Sequence, residues 1–150
     1  MRNIISDKAF NIYLLYPVDR DNKKGLSRLL RACIDVGEEI RAYLIDWEKM
    51  DGLPKSNLYV PADHEVFVQC AYDNEFLTKE SINFVDCEII KLCDLLVLLG
   101  NYNPLAGDIV EKVECAKGAD IPIYTMPDLS PAAISALKLA IKLIIRSEGQ

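Results

Sequence analysis

Five consecutive bulky apolar residues, Leu95-Leu96-Val97-Leu98-Leu99, closed by Gly100, constrain what this chain can fold into more than any other feature. A strand solvated on one side alternates apolar and polar residues, whereas a strand covered on both faces reads as an unbroken apolar run. The run therefore predicts a central strand of a parallel sheet. Ligands of such sheets bind in the crevice beyond the carboxyl ends of the strands. The loop from Gly100 to Gly107 begins there, and Glu111 lies four residues further on, near the start of the next helix. Asp86 stands upstream, on the helix that feeds the strand. Asp86 and Glu111 are thus a candidate carboxylate pair.

The rest of the chain alternates in the same style. Asn11 to Tyr16, ended by Pro17, reads as a first strand, and Asp19 to Gly25 as a loop. From Leu26, apolar residues at Leu29, Leu30, Cys33, Val36 or Gly37, and Ile40 mark one face of a helix. Tyr43 to Trp47 and Val66 to Cys70 read as further strands, separated by a loop over 48–64 that Gly52, Pro54, Asn57 and Pro61 punctuate. A helix spans Leu77 to Cys93, a second Gly107 to Lys117 with Gly118 as its stop, and Ile121 to Thr125 is the last strand. Ser130-Pro131 is an N-cap followed by proline at the first helical position, opening a helix to about Arg146. The apolar residues of that helix cover more than one face, which predicts a homo-oligomer. The pattern is one α/β domain over 1–150, with helices on both sides of a mostly parallel, roughly five-stranded sheet.

Composition narrows the function. A formal charge of −6 disfavours a grip on DNA or RNA, which needs a basic surface to displace counterions. One small phosphate is still within reach of helix dipoles and a few side chains. No apolar run reaches the roughly 18 residues of a membrane span, and Met1 to Asp7 lacks a signal-peptide core. Five cysteines without a C-x-x-C pair fit a reducing cytoplasm better than a disulfide framework. All but Cys87 fall on apolar positions and are expected to be buried small hydrophobes. His64, the only histidine, has no neighbouring cysteine, so neither a metal nor another cofactor is expected.

Gly107 permits close backbone approach to a ligand, and Glu111 lies near the free N–H groups and positive dipole end of its helix. Two carboxylates beside a glycosidic bond can divide the work, one as nucleophile and the other as acid or sugar clamp. At these residues the chain resembles a family. Asp86, Cys93-Asp94 before the apolar strand, Tyr102 in a place often held by tryptophan, Gly107-x3-Glu111 and Ile121-Pro122-Ile123 are similar to the nucleoside 2-deoxyribosyltransferase superfamily. That superfamily includes the deoxynucleoside-5′-monophosphate N-glycosidases and an uncharacterised bacterial and phage branch. Ile12-Tyr13-Leu14-Leu15-Tyr16-Pro17 looks like its first strand.

The resemblance implies a flavodoxin-like, three-layer fold in which Glu111 attacks C1′ of a (deoxy)ribosyl group, the sugar passing on to another base or to water. Asp86 would orient the sugar or assist the leaving base. Tyr13 would hydrogen-bond Glu111, with Tyr16, on the opposite face of the strand, as the competing choice. Tyr16, Gly100, Asn101, Tyr102 and Gly107 would line the substrate crevice. Two departures stand out: Leu105 replaces the family's serine, and Tyr16 replaces a glycine before Pro17. They favour an alternative, a non-catalytic module that binds or senses a nucleotide derivative. Either reading expects a small nucleoside or nucleotide as partner, with no nucleic acid polymer and no membrane.

Overall fold

The computed structural model describes residues 9–16, 23–100 and 107–148. Four strands, β1 (Phe10–Leu15), β2 (Ser56–Tyr59), β3 (Leu95–Leu99) and β4 (Ile123–Met126), form an all-parallel sheet in the order β2-β1-β3-β4. Five helices accompany them: α1 (Lys23–Asp51), α2 (Glu65–Asp73), α3 (Lys79–Lys91), α4 (Gly107–Gly118) and α5 (Pro131–Glu148). A short 3-10 turn, Pro61–His64, precedes α2. The architecture is the α/β, helix-on-both-faces class that the apolar run requires. The sheet has four described strands, where roughly five were expected.

Strand order and handedness determine which helices meet. The chain steps from β1 outward to β2, then back across β1 to β3 and on to β4. Right-handed crossovers that move in opposite directions put their helices on opposite faces. One face accordingly carries Ile12, Leu14, Leu95 and Val97 against Ile40, Leu44 and Trp47 of α1 and Ile134, Leu137 and Ile141 of α5. The other carries Tyr13, Leu15, Leu96 and Leu98 against Ile90 of α3 and Ile109 and Ala116 of α4. The two sets alternate along β1 and β3, as strand geometry demands.

Two expected strands are helical. Tyr43 to Trp47 continues α1, because Cys33, Gly37, Ile40, Leu44 and Trp47 form one series at helical spacing and all are buried. A five-residue window cannot reveal that period. Gly52, at φ 67°, ends the helix in the left-handed region. Val66 to Cys70 lies in α2, with Val66 and Phe67 exposed rather than buried as a strand would hold them. The strand in this part of the chain is Ser56–Tyr59, inside the expected loop, with only Leu58 and Tyr59 buried. Gly37 brings α1 close to the sheet edge: a Cβ there would stand 2.8 Å from Val60 Cγ2.

Helix ends follow the sequence closely. Ser130 Oγ accepts from Ala133 N–H at 3.2 Å, with Pro131 opening α5. Thr78 and Ser81 form a reciprocal capping box on α3. Among the described residues no helix is long and apolar enough to cross a membrane.

Candidate active site

Helices of a parallel α/β sheet run opposite to the strands, so α3 and α4 both begin on the carboxyl-edge side. They also share one sheet face and lie side by side. Asn83 Nδ2 donates to Glu111 Oε2 at 2.8 Å. Lys112 Nζ lies 3.2 Å from Asp86 Oδ2. Cys87 and Cys115 are joined by a disulfide, with Cα atoms 5.7 Å apart. The first and third of these links have the same sequence offset, 28 residues, so the helices are parallel and locked in one register.

This seam carries both candidate carboxylates, about one helical turn apart along it, and gives them different surroundings. Glu111 is exposed on the first turns of α4 and takes its hydrogen bond from Asn83. Asp86, one turn after Asn83, is buried and paired with a lysine whose side chain is only 9% exposed. An ionised carboxylate in such a pair accepts hydrogen bonds and has no proton to donate. Asp86 reaches this position because α3 starts on the carboxyl-edge side of the sheet, which makes its distance in sequence from β3 unimportant.

Tyr13 lies beneath the seam, wholly buried. Its ring stands 5.2 Å from that of Tyr59, which in turn stacks on His64 at 5.7 Å. Burial, and next the charge of Asp86, hold the Tyr13 phenol well above its usual range, so it stays protonated. The same two causes raise Tyr59. The Tyr13 hydroxyl has no hydrogen-bond partner among the described residues, so the expected bond to Glu111 is not made. The acidic group acting on Tyr13 most strongly is Asp86 instead. Tyr16 is buried in the opposite core, beside α1 and α5, which leaves Tyr13, of the two candidate tyrosines, on the carboxylate side.

Gly100 ends β3 at φ 87°, its N–H donating to Met126 carbonyl oxygen at 2.8 Å, and Gly107 opens α4. Asn101 and Tyr102 lie outside the described residues, as does Leu105. Asp94 belongs to the other end of the sheet, where its carboxylate accepts from Asn11 N–H at 2.8 Å and ties β3 to β1.

The cysteines correct the expectation from sequence: one pair forms a disulfide where the odd count without a C-x-x-C pair pointed to free thiols, and two of the four expected buried thiols are not buried thiols. Cys33 and Cys93 are buried thiols, as expected, but Cys70 is exposed and Cys115 is disulfide-bonded. Asn83, Lys112 and the disulfide were not identified from sequence. The signal for Asn83 and the disulfide is a repeated i, i+4 spacing, Asn83 with Cys87 and Glu111 with Cys115, which means something only once α3 and α4 are known to be parallel neighbours; Lys112 has no such signal.

A cleft of about 780 Å³ lies elsewhere, between α1 and the edge strand β2. Arg41 fills part of its wall, donating to Leu58 carbonyl oxygen at 2.8 Å and pairing with Asp63 at 2.7 Å. That blocks an outward-facing carbonyl of the sheet edge. Compared with protein-family models, curated proteins and solved structures, the chain matches none.

Proposed function

We propose that the protein cleaves or transfers the N-glycosyl bond of a (deoxy)nucleoside or its monophosphate, with Glu111 as nucleophile. The observation that carries this reading is the α3–α4 seam, which holds an exposed carboxylate about one helical turn from a buried, lysine-paired one. The Glu111 carboxylate attacks C1′, and the C1′–N bond breaks with its electron pair leaving on the base, which takes a proton from solvent. Water or a second base then displaces Glu111 from the sugar. Of the two roles open to Asp86, its pairing with Lys112 favours the sugar clamp, accepting from a ribose hydroxyl. Tyr13, neutral and buried, supplies a donor next to Asp86.

The Asp86–Lys112 pair also supports a second reading, in which the crevice binds a nucleotide derivative without chemistry, because a carboxylate engaged in an ion pair cannot act as a proton donor. Incubation with a panel of deoxynucleosides and their 5′-monophosphates separates the two. Released or exchanged base on chromatography supports catalysis. A raised melting temperature with no base released supports binding.

The reading carries a cytoplasmic compartment, where such substrates occur, and a homo-oligomer joined through α5, whose Leu139 and Leu143 are exposed. Light scattering that gives a strict monomer contradicts the oligomer.

A further inference from the structure

We propose that Cys87–Cys115 is a reversible redox clasp that fixes the register of α3 against α4, and with it the placement of Glu111 and Asp86. The site it would regulate rests on the proposed N-glycosyl chemistry; the clasp itself does not. Three observations carry the inference. The disulfide joins the same two helices as the Asn83–Glu111 hydrogen bond and the Asp86–Lys112 pair, and lies one helical turn below the first of these. Both cysteines are partly exposed, unlike the buried thiols Cys33 and Cys93, so a small dithiol or a reductant protein can reach the sulfurs. Beside the disulfide, these links hold the seam with one neutral-donor hydrogen bond and one ion pair, so breaking the disulfide removes the one covalent tie across the seam among the described residues.

The exchange balances with an external dithiol as the reductant. A thiolate of an external dithiol attacks one sulfur of the pair, breaking the Cys87–Cys115 bond and forming a mixed disulfide. The reductant's second thiol then closes its own disulfide and releases the protein cysteine. Two electrons and two protons pass to Cys87 and Cys115, and the reductant is oxidised by the same amount. Reduced, α4 can slide or fray against α3, and Glu111 leaves the position that Asn83 sets.

The whole chain serves for the test. The protein is equilibrated in buffers of varied reduced and oxidised glutathione, quenched by alkylation, and weighed intact. In parallel, amide hydrogen exchange is followed in the oxidised form, the reduced form and Cys87→Ser/Cys115→Ser. A clasp predicts a disulfide that titrates within the glutathione range. It also predicts that α4 amides from Ile109 to Lys117 lose at least about tenfold more protection without it than the amides of β1 and β3 do. A disulfide that stays fully formed in excess reduced glutathione, or α4 protection that falls no further than that of β1 and β3, overturns the proposal. Base release measured on the same samples separates the two ideas: its absence in every form refutes the N-glycosyl reading and leaves the exchange result to judge the clasp.

Discussion

Lys112 Nζ lies 3.2 Å from Asp86 Oδ2 across the α3–α4 seam, with the two side chains 9% and 11% exposed. Burying two charges is costly, and their attraction offsets that cost only while both are present. Lys112→Met therefore strands a buried carboxylate and is expected to lower stability by about 3–5 kcal/mol in denaturant unfolding. Asp86→Leu combined with Lys112→Met should restore most of the loss, because the uncompensated charge is gone. A double variant as unstable as the single one would contradict the pair as described.

The covalent link in the same seam makes a separate contribution. Cutting a loop closed across 28 residues is expected to lower stability by roughly 3–4 kcal/mol on the chain-entropy model. For a chain of this size that is roughly a 10 °C fall in the melting temperature of Cys87→Ser/Cys115→Ser. The same fall should appear when the native protein is reduced. A reduced protein that melts with the oxidised one would argue that the disulfide is absent in solution.

Burial pushes the thiols of Cys33 and Cys93 up to about 12. At pH 8 only about one thiol in ten thousand is then ionised, so neither should react with a thiol reagent in the native state, while exposed Cys70 should. The sign of the stability effect follows from linkage. A thiol whose ionisation is suppressed in the folded state favours folding below its unfolded value near ~8.5, and this contribution is lost as pH rises from there toward about 12. Native protein that consumes three equivalents of reagent at the rate of one would contradict this burial.

Gly37 marks where α1 crosses the sheet edge. Alanine there gains about 1 kcal/mol of helix propensity but drives a methyl group to 2.8 Å from Val60 Cγ2. Overpacking of this kind costs about 1–3 kcal/mol, so a net destabilisation is expected. Gly37→Ala with Val60→Ala should relieve it, and denaturant melts of the single and double variants provide the comparison.

Particular residues explain what could be read from the sequence. Leu95 to Leu99 was legible because five apolar residues in succession fit a doubly covered strand and are too short for a buried helix. Ser130-Pro131 was legible because capping is local chemistry. Tyr43 to Trp47 was misread because its helical period shows only when joined to Cys33, Gly37 and Ile40, and Ser56 to Tyr59 was missed because four residues with two polar ones carry little strand signal. At the candidate site, Asp86 and Glu111 were individually visible as carboxylates flanking a buried strand. Their partners Lys112, Asn83 and the Cys87–Cys115 link were not, because each depends on which helices become neighbours. That follows from strand order and crossover handedness, which no single segment encodes.

The proposed chemistry requires Glu111 to form a covalent bond to the sugar. Mass spectrometry of protein quenched during incubation with deoxynucleosides and their 5′-monophosphates tests it directly. A glutamate nucleophile predicts a deoxyribosyl adduct on the peptide containing Glu111, and loss of both adduct and base release in Glu111→Gln with its melting temperature unchanged. Base release that persists undiminished in Glu111→Gln, or an adduct on another residue, would contradict it.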